Sequence, residues 1–180
     1  MPDQFDKIEK VLHLFAKKVI RDAQNELKRQ GKNTSGNLSK SLGYVLKRTE
    51  KGISLNFTGA EYAKFVDQGV QGARSSFKAP MSPYKMGTGS ASGSWQKFTA
   101  SLDKWIVKKG LSGIRDEKGR FVSRKSLRFV IQRSIFLYGI KPSNFFSNPL
   151  KVASVGLAKN VALAFVKDAE EYLEGMTTKS

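Results

Sequence analysis

The chain contains no cysteine and a single histidine, His13. The first absence excludes a disulfide framework, a thiolate zinc site, an iron–sulfur cluster and a cysteine nucleophile, and permits a cytosolic life. The second leaves His13 without a partner imidazole for a metal; it falls on the polar side of its helix, where a surface position accounts for it. Long apolar runs are missing too. No stretch approaches the ~20 apolar residues that a membrane helix needs. The polar, acidic start Met1-Pro2-Asp3-Gln4-Phe5-Asp6 is followed by no apolar run, so neither a signal peptide nor a membrane span is expected.

Acid is the other shortage. Asp and Glu number 15 against 32 Lys and Arg, a formal net charge of +17 in 180 residues. Five of the acids sit in residues 1–26 and four in 168–180, leaving 26 bases against six acids between them and no acid from Lys118 to Lys167. A field of this sign favours anionic partners, whether nucleic acid, an acidic protein surface or anionic lipid, and does not choose among them. What is present suffices for a core: with glycine counted and tyrosine left out, roughly 45% of residues are apolar, the usual globular share. The length fits one domain with an insertion.

Asp3 precedes Ile8, Val11, Leu12, Phe15, Val19, Ala23 and Leu27 at helical spacing, and Gly31 stops what reads as an amphipathic helix of about 25 residues. Leu42, Tyr44 and Leu46, then Ile53, Leu55 and Phe57, alternate with small or polar residues about the loop Glu50-Lys51-Gly52, which predicts a β-hairpin. Thr58 and Glu61 have capping-box spacing for a short helix over 62–67 ended by Gly69. Residues 69–94, rich in glycine, serine and proline, read as a loop. The run Gly87-Thr88-Gly89-Ser90-Ala91-Ser92-Gly93 lacks the spacing of a phosphate-binding loop. Two helices follow, one carrying Trp95, Phe98, Leu102, Trp105 and Ile106 up to Gly110, the other capped by Ser123 and ended by Gly139, with a turn over 116–120 between them. The aromatic residues Trp95, Phe98, Trp105 and Tyr138 sit at helical spacing and are expected in the core. Ser147 or Asn148 caps a final helix with Pro149 in its first turn, running through Leu150, Val152, Ala153, Gly156, Leu157, Val161, Leu163 and Ala164 towards Tyr172 and Leu173; fraying is expected from Met176. These elements predict an α+β domain over 1–180: a small antiparallel sheet packed by long N-terminal and C-terminal helices, with a loop and helical insertion at 70–138.

Catalysis has little to stand on. The body acids Glu50, Glu61, Asp67, Asp103, Asp116 and Glu117 are dispersed, and no nucleophile–base pair, carboxylate pair or metal cage emerges. No catalytic residue, cofactor or metal is expected. Arg124, Lys125, Arg128 and Arg133, on the helix after Ser123, are the candidate basic surface for DNA or a partner protein.

Three segments in this order carry a resemblance: Thr34-Ser35-Gly36-Asn37-Leu38-Ser39-Lys40-Ser41-Leu42, Tyr62-Ala63-Lys64-Phe65-Val66-Asp67-Gln68-Gly69, and Gly139-Ile140-Lys141-Pro142-Ser143-Asn144-Phe145-Phe146-Ser147-Asn148-Pro149-Leu150. Over residues 1–69 and 139–174 the chain resembles the tailed-bacteriophage neck proteins called tail-completion or head–tail joining proteins. That family has a G-x-L-x-x-S element, a Y-A-x-x-V-E-x-G-T element and a P-x-P-F-hydrophobic-x-P-A element. Asp67 stands for the usual Glu, Val70 for the Thr, Asn144 for a Pro and Leu150 for the Ala.

The resemblance implies a scaffold role for Gly36, Leu38, Ser41, Tyr62, Phe65, Asp67, Gly69, Gly139, Pro142, Phe145 and Phe146, with the 62–67 helix packing on the sheet and the proline segment returning to it. It also implies a non-enzymatic virion protein, made in the host cytoplasm, that forms a ring between the head-side adaptor or connector and the tail or tail-terminator protein. DNA would pass through that ring, and no membrane is involved. The alternative that the charge supports is a basic nucleic-acid-binding protein.

Overall fold

The computed structural model describes residues 6–32, 35–49, 52–87, 92–111, 114–115 and 117–177, with the backbone alone over 92–98 and 176–177. The expectations for Asp3, Thr34, Glu50, Lys51, 88–91 and Asp116, and for the side chains of Trp95 and Phe98, lie outside the described residues. The fold is α+β, with seven helices and one two-stranded antiparallel sheet among the described residues. The chain divides into two compact units, Met1–Glu61 with Phe145–Ser180, and Tyr62–Asn144.

The first unit is organised on α1 (Asp6–Arg29), whose face of Ile8, Ala16, Val19, Ala23 and Leu27 is buried. Asp6 and Glu9 lie in its first turn and Lys28 and Arg29 in its last, the arrangement that complements the helix dipole. Gly31, at φ +62°, ends it: the Gly31 N–H reaches the Lys28 carbonyl (3.0 Å) and the Lys32 N–H reaches that of Leu27 (3.0 Å). The opposite end is closed from far away in sequence. The Asp168 carboxylate, only 5% exposed, accepts the backbone N–H groups of Lys7 (3.1 Å) and Ile8 (3.2 Å). Lys7 in turn pairs with Glu171.

After α2 (Asn37–Ser41), strands β1 (Gly43–Thr49) and β2 (Gly52–Thr58) form the hairpin, with Tyr44 opposite Phe57 and Leu46 opposite Leu55. Alternation places Ile53, Leu55 and Phe57 half-buried on one face and Ser54 and Asn56 in solvent on the other. Phe57 meets Phe15 of α1 and Phe146 edge to face, at ring-centre distances of 6.2 and 5.1 Å. Arg48 clamps the hairpin to Glu9 and Asp6 at the start of α1.

Helices α3 (Ala63–Gln68), α4 (Ser92–Lys108) and α5 (Arg124–Tyr138) belong to the second unit, and the single C-terminal helix expected from the pattern is two, α6 (Ser147–Ser154) and α7 (Leu157–Thr177), bent by 50°. Val155 is extended and Gly156 adopts φ +83°, a conformation that breaks the hydrogen-bond ladder. The cap residue is Phe146 rather than Ser147 or Asn148, and α7 continues through Met176. Ala164 is buried, whereas Val152 and Leu163 are 68% and 53% exposed. No single helix among the described residues is long and apolar enough to cross a membrane.

In the second unit α3 (Ala63–Gln68) starts at Tyr62 without a side-chain cap, so the expected capping box of Thr58 and Glu61 is not used; Thr58 belongs to β2 instead. Helices α4 (Ser92–Lys108) and α5 (Arg124–Tyr138) form an antiparallel pair over buried Leu102 and Ile106, joined by Gln132 donating to Thr99 (2.6 Å) and by the Arg128–Asp103 ion pair. Ser123 caps α5 by accepting the Ser126 N–H (3.1 Å). Trp105 and Tyr138, expected in the core, are exposed. The described part of the 69–94 loop is knit by its own polar groups. Ser82 Oγ donates to the Gly69 carbonyl (2.8 Å) and the Gln71 amide to that of Ser82 (2.7 Å).

Removing the carboxylate that closes α1 leaves two backbone donors without an acceptor. Asp168→Ala is expected to lower the unfolding free energy by about 2–3 kcal/mol, and Asp168→Asn, which keeps one acceptor oxygen, by about 1 kcal/mol. Urea unfolding followed by circular dichroism checks both; equal midpoints for the three chains would remove Asp168 from its capping role.

Candidate functional site

The second and third motif segments, about 70 residues apart in sequence, are brought into direct contact. Val70 and Ile140 exchange backbone hydrogen bonds (2.9 and 2.8 Å) as an antiparallel bridge. On one side of it the Ser143 and Asn144 N–H groups reach the Asp67 carbonyl (3.1 and 2.9 Å), and Ser143 Oγ donates to that of Val66 (2.6 Å). On the other the Ala73 and Arg74 N–H groups reach the carbonyls of Phe136 and Leu137 (2.8 and 3.1 Å).

Glycine is what permits this approach. A Cβ at Gly139 would lie 2.1 Å from the Val70 carbonyl oxygen, and one at Gly69 2.6 Å from that of Ile140; both residues have positive φ, +75° and +73°. Gly72, which the pattern offered only as a loop glycine, is equally confined, at 2.1 Å from the Leu137 oxygen. Asp67 is buried and Pro142 half-buried at this junction. Tyr62 is exposed, and the Phe65 ring, itself partly in solvent, stands edge-on to Tyr84 at 4.7 Å with the Lys64 ammonium over both rings. The partner of Phe65 is thus the 69–87 segment of its own unit, where the resemblance implied the sheet.

The remaining motif residues sit in the first unit. Gly36 takes φ +76° before α2, Leu38 is buried, and Ser41 Oγ donates to the Leu38 carbonyl (2.8 Å) while accepting the Ala60 N–H (3.0 Å). Phe145 is fully buried and touches Phe146, which meets Phe57.

The four candidate basic residues do not form one face. At 100° per residue Arg124 and Arg133, nine positions apart, project from opposite sides of α5, and Arg128 is held by Asp103. Arg124 instead joins Lys104 and Lys108 of α4 around an open groove of about 480 Å³, lined also by Asp103 and Val107. Lys104 and Lys108 give no signal in the sequence because their i, i+4 spacing acquires meaning only when α5 lies alongside.

A second kind of surface is apolar. Apolar side chains face solvent in rows: Phe129 (60% exposed), Val130 (61%) and Phe136 on α5, and Leu163, Val166 (51%) and Leu173 (62%) on α7. Shifts in acidity lie elsewhere, on α1 and at Arg48 of β1. Hydrogen bonds from Arg29 and Gln30 hold the Glu26 carboxyl down at about 2, and that of Lys18 lowers Asp22. No group of three or more Asp, Glu or His side chains among the described residues is placed to hold a metal ion.

If the junction depends on backbone approach, Gly139→Ala costs about 3 kcal/mol, the sum of a left-handed conformation and a clash that backbone must absorb. Gly119→Ala, at φ +74° with nothing within 4 Å, costs about 1 kcal/mol. Chemical unfolding of the two variants side by side makes the comparison; equal losses would mean that the close approach contributes nothing.

No family model, no curated protein and no solved structure matches the chain.

Proposed function

We propose that the chain is a non-enzymatic structural protein of a tailed-bacteriophage neck, assembled in the host cytoplasm into a ring that joins the DNA-filled head to the tail. Its partners are further copies of itself, a head-side adaptor or connector, and a tail or tail-terminator protein. The observation that carries the reading is the pair of outward apolar rows on α5 and α7: large side chains aligned along helix faces are the surface of a subunit that is covered in an assembly. Rings arise when such contacts are heterologous and close on themselves. The glycine-confined junction between two of the three resembling segments supports a scaffold role for those motifs. Electron cryomicroscopy of tailed particles carrying the chain is expected to place it in a closed ring on the head–tail axis; a dispersed monomer absent from every particle would overturn the proposal.

A second reading, nucleic-acid binding, draws on the groove of Lys104, Lys108 and Arg124, where three cations converge against one carboxylate already engaged by Arg128. On this reading duplex DNA binds with an affinity that falls as salt rises. Replacing both lysines, Lys104→Glu with Lys108→Glu, then lowers the slope of log K against log salt by about 2, close to 0.9 for each phosphate that is no longer neutralised. Fluorescence anisotropy across a salt series measures it. An unchanged slope removes the groove from DNA binding.

A further inference from the structure

A ring and a guanidinium are paired in the connection between α4 and α5. Arg115 and Phe121 form an antiparallel bridge, closed by the Val122 N–H on the Ile114 carbonyl (2.8 Å). Residues opposed across such a bridge carry their side chains on one face, and here the Arg115 guanidinium lies over the Phe121 ring, 4.0 Å from its centre. Arg115 Nη1 also donates to the Gly119 carbonyl (2.7 Å), which fixes the guanidinium in place. Phe121 nevertheless stays 67% exposed, so the ring face turned away from Arg115 is open to solvent. Phe121 precedes Arg124 by three positions, a reach of at most about 11 Å, and Arg124 lines the groove with Lys104 and Lys108. The surroundings are cationic as a whole. Residues 103–128 hold nine bases and three acids: Asp103, which Arg128 engages, and Asp116 and Glu117, which lie between Arg115 and Lys118.

We infer that this connection and the groove form a site for single-stranded nucleic acid, a base stacking on the open face of Phe121 while neighbouring phosphates lie along Lys104, Lys108 and Arg124. The inference rests on the nucleic-acid reading and names the form of nucleic acid that the groove takes. Cations alone serve duplex and single strand alike, since both carry phosphates. The ring decides between them. In a duplex each base is covered by its stacked neighbours and offers only its edges in the grooves, whereas a single strand has base faces free to stack on an aromatic side chain. A merely anionic surface would meet the cations and leave the ring unused. Because Arg115 already holds the ring from behind, little side-chain freedom is lost when a base arrives.

Fluorescence anisotropy of a labelled mixed-sequence DNA oligonucleotide, as single strand and as duplex, tests it across a salt series with the full chain. The wild-type chain is expected to bind the single strand more tightly than the duplex. Phe121→Ala weakens single-strand binding about tenfold, the loss of one stacked base, and leaves the slope of log K against log salt unchanged, because the ring neutralises no phosphate. Phe121→Tyr keeps the ring and restores the affinity. Lys104→Glu with Lys108→Glu instead lowers the single-strand slope by about 1.4, close to 0.7 for each phosphate. Circular dichroism verifies that each variant is folded, as the exposure of Phe121 leads one to expect. Binding to neither form removes the nucleic-acid reading and the inference with it. A duplex bound at least as tightly as the single strand, or a Phe121→Ala chain that binds like the wild type, overturns the inference and leaves the groove reading standing. A tyrosine that fails to rescue, or polyglutamate that displaces the strand at equal charge concentration, also overturns it.

Discussion

The first unit depends on a carboxylate held at the start of a helix. Asp168 sits on α7, 160 positions from the backbone groups of α1 that it receives. It satisfies two of the four donors that every helix leaves open at its beginning. A helix of 24 residues that buries Ala16, Val19, Ala23 and Leu27 along one side needs its partner helix at a fixed rotation and height. Van der Waals packing of small residues is permissive about sliding, whereas a carboxylate on two specific N–H groups is not. The hairpin is then referenced to the same end of α1 through Arg48 and its two acids, and the Phe15–Phe57–Phe146 chain of rings links helix, sheet and the start of α6.

Much of this frame is legible as local signals. The 3.6-residue period of α1, the alternation of the hairpin strands, the Ser123 cap and the stops at Gly31, Gly110 and Gly139 each correspond to an observed feature, because each is decided by residues within a few positions of one another. What the pattern hides is decided at long range. Asp168 is, in the sequence, one of four acids in a polar tail; its partners are backbone groups, which no side-chain pattern advertises. The break at Val155 and Gly156 is masked by an apolar period that runs through it, and Gly156 alone, tolerated in helices, does not announce a bend.

The apolar residues of α5, α6 and α7 illustrate a different limit. Helical periodicity says that Leu163 and Leu173 share a side of α7, and it assigns that side to a core by default. A face turned to solvent within one subunit and a face buried within one subunit have the same sequence signature, since in both the pattern is one of apolar residues at helical spacing. The distinction becomes readable once the inward arc of α7, with Ala164 and Asp168, is known to be occupied by α1. The basic residues follow the same logic. Four cations on one helix suggest a surface; three cations from two helices, with one of the four neutralised by Asp103, are what the fold assembles.

The junction of Val70 with Ile140 works as the clasp of a purse. Its two strands are fixed by glycines that allow no other spacing, and everything from residue 72 to 138 leaves from one side of the clasp and returns to it. Once the ends of a loop are held together, lengthening it is cheap: doubling its length adds only about 0.6 kcal/mol of closure entropy. The chain between the clasped ends is thereby released from the length constraint that binds the rest of the fold. A long helical pair such as α4 and α5 can be gained, shortened or exchanged there as a cassette, with the frame on either side unaltered.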